Sequence, residues 1–182
     1  QKDGSSVNDY TTKNGSSSRT EKDKNGKSVT DIRLEKADLQ DTAEDKAHNL
    51  PMPAISAGID TTVKISDMGG QETLRVSLPV ENAGPGTVAV KMNTDGSSEV
   101  VSGTVYGDKA VSFTAEKGVT YKICDNAAEF ADVTADAWYR NAVDYITARG
   151  IMNGTSDTAF SPDRTTSRGM IVTMLYRMEN NP

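Results

Sequence analysis

Residues 61–80 read TTVKISDMGGQETLRVSLPV, and they indicate the fold class more clearly than any other part of the chain. Val63 and Ile65 alternate with polar residues ahead of the glycine pair at 69–70, and a second alternation runs from Leu74 to Val80. A two-residue period turns one face of a strand toward a core, and paired glycines are typical of a turn. The stretch therefore predicts two successive β-strands.

The same alternation recurs on both sides of this stretch. A strand is predicted near Val29–Leu34, and further apolar pairs separated by glycine turns follow, at Val88 and Val90, Val111 and Phe113, and Tyr121 and Ile123. Short strands at this spacing are typical of a β-sandwich. Residues 36–48 read as one short helix because they are rich in Ala, Glu, Asp and Lys. We therefore expect a β-sandwich-like domain with one short helix over residues 29–125.

An eleven-residue repeat precedes this domain, in residues 1–28. Its copies are Lys2-Asp3-Gly4, Lys13-Asn14-Gly15 and Lys24-Asn25-Gly26, with Ser6, Ser17 and Ser28 in register behind them. Asp-Gly and Asn-Gly favour two-residue hairpin turns, in which both central residues take positive φ. The runs between the turns are polar on both faces and can bury little. A polar β-meander and a disordered, flexible spacer both remain open.

Composition limits the classes of function. Only 35% of the 182 residues are apolar, which is lean for a single well-filled core. The fold class we expect is multi-domain and mainly β, with a small α-helical C-terminal module. A net charge of −6 lacks the basic surface that nucleic-acid binding needs. No apolar run is long enough for a membrane span. Because the chain begins with Gln1, we expect a fragment or a processed form.

Catalytic residues are not evident in the sequence. His48 is the one histidine and Cys124 the one cysteine, and they lie far apart along the chain. Their separation leaves no nucleophile and base in a recognisable arrangement, and a histidine-rich zinc site is excluded. We therefore expect no enzymatic activity, no catalytic residue, no metal site and no cofactor.

The segment from Phe130 to Met178 carries the most informative motifs. It reads FADVTADAWYRNAVDYITARGIMNGTSDTAFSPDRTTSRGMIVTMLYRM. Helical spacing of apolar residues predicts one amphipathic helix that starts at Trp138 and ends at Gly150, and a second that opens at Ser167. Asp132 and Asp136 are predicted to cap the first helix, and Ser167 the second.

This order of motifs resembles an S-layer homology (SLH) domain over about residues 128–179. SLH repeats commonly end their loop with Phe-x-Pro, which Phe160-Ser161-Pro162 matches. They commonly open their second helix with Thr-Arg-Ala-Glu, and Ser167-Arg168-Gly169-Met170 stands in that place. The resemblance implies one SLH-like repeat built on a helical pair. In the family, three such repeats usually pack together, with ligand grooves between neighbours.

The resemblance also implies where a ligand binds, namely at Arg168, Trp138 and Ser167. In the family, the arginine of the motif contributes to binding an acidic, often pyruvylated, wall polymer. A guanidinium suits this role because its planar fork donates two parallel hydrogen bonds to a carboxylate. Two alternatives stay open: Arg168 is only a solvated helix start, and Trp138 belongs to the core.

The function implied is non-covalent attachment of a bacterial surface protein to a secondary cell-wall polysaccharide. The expected partner is an anionic wall polysaccharide, with further SLH repeats outside this fragment. The expected location is extracellular, associated with the cell wall or S-layer. Two other classes remain open, a structural or adhesive surface module and the non-catalytic tail of a secreted enzyme.

Overall fold

Strands make up most of the regular structure, as the alternating pattern predicts. A computed structural model describes residues 4–39, 46–56, 61–107 and 109–179. In chain order the elements are β1 (Ser6–Thr11), β2 (Ser17–Lys22), β3 (Ser28–Leu34), α1 (Lys36–Leu39), β4 (His48–Asn49), β5 (Ile55–Ser56), β6 (Thr61–Met68), β7 (Thr73–Glu81), β8 (Thr87–Met92), β9 (Ser98–Val100), β10 (Val105–Gly107), β11 (Ala110–Glu116), β12 (Thr120–Asp125), α2 (Arg140–Ala148) and α3 (Arg168–Met178).

The strands form two sheets. The seven-stranded sheet has the order β1-β2-β3-β6-β12-β8-β9, and the five-stranded sheet is built on β10-β11-β7-β4, with β5 also paired to β7. Most neighbours are antiparallel, but β3 pairs with β6, and β4 and β5 pair with β7, in parallel. A mainly β chain with a few short helices is thus confirmed.

One buried cluster takes side chains from both sheets. The largest members include Ile32, Ile65 and Tyr121 of the seven-stranded sheet and Leu78 and Phe113 of the five-stranded sheet. Phe113 and Tyr121 meet across the cluster with ring centroids 4.9 Å apart. The sandwich-like arrangement and the division into several domains stay predictions. No helix in the described ranges has the length and apolar character required to cross a membrane.

The described part of the eleven-residue repeat forms antiparallel strands, whereas Lys2 and Asp3 of its first copy lie outside the described residues. The strands β1, β2 and β3 begin at Ser6, Ser17 and Ser28, one repeat apart. The turn type was predicted wrongly, however. Gly15 has φ +99° and its N–H bonds to the carbonyl of Thr12, whereas Asn14 does not take positive φ. Each described loop is therefore a three-residue turn in which glycine alone is left-handed, as in a type I turn followed by a bulge.

Polar pairs, in place of a core, hold the outer strands to the sheet. The residues of β1 are mostly exposed. In the register, opposite charges alternate across four strands, with Asp9 opposite Arg19, Arg19 opposite Asp31, and Asp31 opposite Lys64, and Asp9 and Arg19 form an ion pair at 3.9 Å. Cross-strand pairs of opposite charge stabilise a sheet modestly. Because β3 pairs with both β2 and β6, the hydrogen-bonded sheet is continuous from the repeat into the larger body.

The helix predicted from Lys36 to His48 does not extend that far. The described helix, α1, ends at Leu39, and His48 is a buried residue of β4. Residues 40–45 lie outside the described ranges. His48 pairs in register with Val76 of β7, so a strand partner outweighs the helix-favouring composition around it.

Acid is expected to release the first hairpin from α1. Side-chain hydrogen bonds from Ser16, Thr12 and Asn14 lower the pKa of Asp38 from 3.8 to about 2. The Thr12 and Asn14 bonds are 2.6 and 2.7 Å long. Because the folded pKa is depressed, this contribution to stability is complete above about pH 4 and is lost as pH falls through about 2. NMR titration of the Asp38 carboxyl carbon and of the amides of Thr12–Ser16 should show a coupled transition, which Asp38→Asn abolishes. A carboxyl that titrates near 3.8 would contradict this.

Candidate functional site

A small aromatic cluster organises the C-terminal segment. Phe130 and Val133, ahead of α2, are buried with Val143 of that helix, and Tyr139 and Phe160 pack against them. The rings of Phe130 and Phe160 lie 5.5 Å apart at 49°. Phe130 and Phe160, which lie before and after α2 in the chain, thus pack together and close the loop against this helix.

Asp132 holds this closure through its carboxylate. Its two oxygens accept hydrogen bonds from the backbone N–H groups of Phe160 (2.9 Å) and Ser161 (2.7 Å). These backbone bonds lower the pKa of Asp132, so the group remains ionised at neutral pH. A charge-assisted pair of this kind is stronger than neutral hydrogen bonds. The Phe160-Ser161-Pro162 motif is therefore fixed by a residue 28 positions earlier in the chain.

The predicted caps of α2 were wrong. Its N-cap is Tyr139, which makes no side-chain capping bond. The Asp132 carboxylate accepts from the backbone N–H groups of Phe160 and Ser161. The Asp136 carboxylate accepts a side-chain hydrogen bond from Thr134, which lowers its pKa. Both carboxylates bond to groups other than the N–H donors at the start of α2.

Trp138 lies outside the helix that was predicted to contain it. Because α2 begins at Arg140, the indole belongs to the turn before the helix and is 92% exposed. Its only described aromatic neighbour is Tyr139, edge-on at 5.5 Å. The alternative that Trp138 is a core residue is therefore wrong, and its ring faces solvent.

Ser167 is the N-cap of α3, as predicted. Its extended backbone and its side-chain oxygen, which accepts the N–H of Met170 at 3.2 Å, fit an N-cap serine. Arg168, the first residue of the helix, is exposed. Gly169 and Met170 follow, so no carboxylate completes a capping box in this turn.

The two predicted helices are present, but α3 shares no buried core with α2. No residue of α3 is buried, and Val172 and Leu175 are 65% and 57% exposed. The described tie of this helix to the rest of the segment is a hydrogen bond from Arg177 to the carbonyl of Ile151, 3.3 Å long. An apolar helix side therefore remains open to solvent.

Arg149 joins α2 to the sheets, and sequence reasoning missed it. This C-cap residue of α2 is only 4% exposed. Its guanidinium donates to the carbonyls of Thr104 (2.9 Å), Pro85 (2.8 Å), Thr87 (3.1 Å) and Tyr145 (3.1 Å). It also lies 3.7 Å from the centre of the Tyr145 ring.

The electrostatics of Arg149 are unusual because the charge is held by neutral groups. No carboxylate in the described ranges pairs with this guanidinium. Burial lowers the pKa of Arg149, while Tyr145 and Tyr106 oppose the shift. Asn126, whose amide bonds to the carbonyl of Ala148 at 2.8 Å, reinforces the same joint.

The three predicted ligand-binding residues occupy two places. Ser167 and Arg168 are adjacent at the start of α3, whereas Trp138 precedes α2. No hydrogen bond or cation–π contact in the described ranges joins Trp138 to Arg168. The described residues also contain no cluster of three or more His, Cys, Asp or Glu able to hold a metal ion.

Comparison with known proteins bears on this segment alone. Residues 129–169 match the family model described as the S-layer homology domain. No curated protein and no solved structure matches the chain. The match contains Trp138, Ser167, Arg168 and the Asp132-bound loop, and it lies within the predicted repeat. SLH domains are in general modules that anchor proteins to the cell wall. The family match therefore supports an S-layer homology domain in the C-terminal part of this chain.

Proposed function

We propose that residues 128–179 form one SLH repeat, which attaches a bacterial surface protein non-covalently to an anionic secondary cell-wall polysaccharide. The observation that carries the proposal is the family match over residues 129–169. The protein would then act outside the cell, in the wall or S-layer. SLH domains in general bind cell-wall polysaccharides, which supports this class of ligand.

The start of α3 offers the chemistry that an acidic polymer needs. Arg168 is exposed and lies where the unpaired N–H groups of the helix favour negative charge. Ser167 takes one of those N–H groups and fixes the first turn. The guanidinium can then donate two hydrogen bonds to a carboxylate of the polymer.

Trp138 would contribute from a second surface. Its indole is 92% exposed and could lie against the apolar face of a sugar or ketal. Because it does not meet Arg168 within the described segment, we propose that each residue serves a different groove. The exposed apolar side of α3 would pack against a further SLH repeat, which completes the groove at Arg168.

Replacing Arg168 with alanine is expected to weaken binding of the full set of repeats to acid-extractable wall polymer by about tenfold, the value of one charge-assisted hydrogen-bonded contact. The thermal midpoint should hardly move, because the side chain is exposed. Arg164→Ala is the matched control, since this arginine is also exposed but lies in the loop that precedes α3. Pull-down of wild type and both variants measures the effect. Equal losses for the two variants would show that general charge, and not the Arg168 site, drives binding.

We propose a non-catalytic role for the described chain. His48 lies in β4 and Cys124 in β12, which belong to different sheets. Burial raises the pKa of the Cys124 thiol, which disfavours the thiolate that a nucleophile requires. Nucleic acid is disfavoured as a partner by the net charge of −6. Reproducible turnover on a panel of glycans, peptides and esters would contradict this proposal.

The remainder of the chain would support the anchor. We propose that residues 1–28 are a polar spacer and residues 29–125 a sandwich-like body. The exposed β1 and the shared core of the two sheets support these roles. A structural or adhesive surface module is the second candidate, because the exposed Val7 and Tyr10 of β1 could contact a partner. Wall-polymer binding that Arg168→Ala weakens and that the double variant Val7→Ser, Tyr10→Ser leaves unchanged, each in the full chain, separates the two.

A further inference from the structure

A cleft lies where the two sheets meet the C-terminal segment, away from Arg168. It is open to solvent on one side and has a volume of about 810 Å³, within the range of small-ligand sites. Its walls come from β7 and β11, from β8 and β9, from Tyr121 of β12, from the segment that follows α2, and from Arg177 of α3. A ligand held there would contact both sheets and the SLH-like segment.

Positive charge is in excess in this cleft, although the whole chain carries −6. Four cations line it, and the two acidic residues lining it are Glu99 and Glu116. Lys91 is neutralised by a 2.6 Å ion pair with Glu116. Arg75 and Arg177 form no ion pair with the described residues. The guanidinium of Arg75 is thus available for a bound anion, and that of Arg177 keeps further donors beside its one bond to the carbonyl of Ile151.

The buried Arg149 adds a charge that no carboxylate of the described chain compensates. Its guanidinium is held by four backbone carbonyls and also lines the cleft. A buried charge held only by neutral dipoles raises the local potential because little water screens it. Exposed Arg75 and half-buried Arg177 therefore act beside a fixed positive charge.

The remaining wall groups suit a ligand rich in hydroxyl groups. Thr114, opposite Arg75 in the β7–β11 register, and Asn153 are exposed in the cleft. The Tyr121 hydroxyl accepts the N–H of Glu116 at 2.8 Å and also lines the cleft. Hydroxyl and amide groups both donate to and accept from sugar hydroxyls.

We propose that this cleft is a binding site for a short anionic saccharide, whose carboxylate or phosphate is held by Arg75 and Arg177. The site does not include Arg168 and is tested apart from the proposed function of the SLH repeat, although Arg149 and Arg177 belong to that segment. It would add a glycan contact shared by the β body and the C-terminal segment.

Titration of the full chain with trigalacturonate, glucose 6-phosphate, neutral maltotriose and triglutamate tests the proposal. We expect at least one anionic saccharide to shift backbone amide signals of Gly103, Gly150 and Asn153, and to bind more weakly as salt rises. Maltotriose and triglutamate should bind at least about tenfold more weakly, since each lacks either the charge or the hydroxyl groups. The preferred probe identifies carboxylate or phosphate as the anionic group.

Three variants complete the design. The double variant Arg75→Gln, Arg177→Lys should raise Kd at least about tenfold, the value of one charge-assisted hydrogen bond, at an unchanged fold by circular dichroism, because a lysine there can still donate to the carbonyl of Ile151 that ties α3. Arg33→Gln, an exposed arginine of β3 outside the cleft, should leave Kd unchanged. Arg168→Gln should also leave it unchanged, so that failure here is separate from failure of wall attachment. Equal binding of triglutamate would overturn the saccharide assignment, and unchanged Kd in the double variant would overturn the site.

Discussion

Replacing Arg149 with alanine is expected to destabilise the protein by about 3 kcal/mol, because buried carbonyl groups would lose their hydrogen-bond donor. The carbonyls of Thr104 and Thr87 accept from this guanidinium in buried surroundings, and that of Pro85 is partly buried. Chemical denaturation measures the loss. Limited proteolysis should show faster cleavage between β12 and α2, since the joint between them is opened.

Two comparisons make the Arg149 prediction specific. Arg149→Lys keeps the charge but not the planar fork, so most of the destabilisation should remain. Arg140→Ala, in the same helix, removes a partly exposed pair with Asp144 and one part-buried hydrogen bond to the carbonyl of Val133, and should cost about 1–2 kcal/mol. If the Arg149 and Arg140 variants were equally stable, the hydrogen bonds from Arg149 to backbone carbonyls would contribute little to stability, and α2 would be held by its apolar face.

Arg149 also shows where sequence reasoning ends. An arginine at a helix C-terminus usually interacts with the last carbonyls and the helix dipole on the surface. Its partners, Thr104, Thr87 and Pro85, are loop or strand carbonyls 45 to 64 residues away. Every residue has a backbone carbonyl, whatever its type, so neither composition nor spacing could identify these acceptors.

Local patterns were read more reliably than distant pairings. Alternation predicted strands at β6, β7 and β11, because each turns one face to the core. The repeat favoured strands or a flexible spacer over residues 1–28, apolar spacing predicted β3, and the serine before Arg168 predicted the cap of α3. Each of these signals depends only on residues that are close together in the sequence.

Sheet order and loop closure were not predicted. The local sequence does not indicate that β3 pairs in parallel with β6, because two parallel neighbours are joined by a long connection. Asp132 has the sequence features of a helix cap, and only the fold brings it to Phe160 and Ser161. The cap at Ser167 was therefore predicted correctly, because its contacts are local, whereas the caps at Asp132 and Asp136 were wrong, because loop closure gives those carboxylates other partners. Ligand binding by Arg168, Trp138 and Ser167 stays a prediction.

Closure of this loop also explains Gly154, where a side chain should be poorly tolerated. A Cβ added there would meet the Phe130 ring and lie 2.6 Å from the carbonyl oxygens of Ala159 and Ser156. Backbone oxygens cannot move aside as a flexible side chain can. The glycine is thus required by close approach, whereas Gly150 is required by its φ of +65° after α2.

We expect Gly154→Ala to destabilise the protein by about 2–3 kcal/mol, as overpacking in a tight site does. The Phe130–Phe160 contact and the two bonds to Asp132 should be displaced together, which would reduce wall-polymer binding as well. Gly84→Ala is the matched control, since its added Cβ would meet nothing within 4 Å and its φ is not left-handed. The Gly84→Ala variant should be as stable as the wild type, or more stable by a few tenths of a kcal/mol, because alanine lowers the conformational entropy of the unfolded chain. Thermal denaturation and NMR amide signals of Phe160 and Ser161 measure both effects. A Gly154 variant as stable as the Gly84 variant, with unshifted Phe160 and Ser161 signals, would show that the loop is not closed on Phe130 in solution.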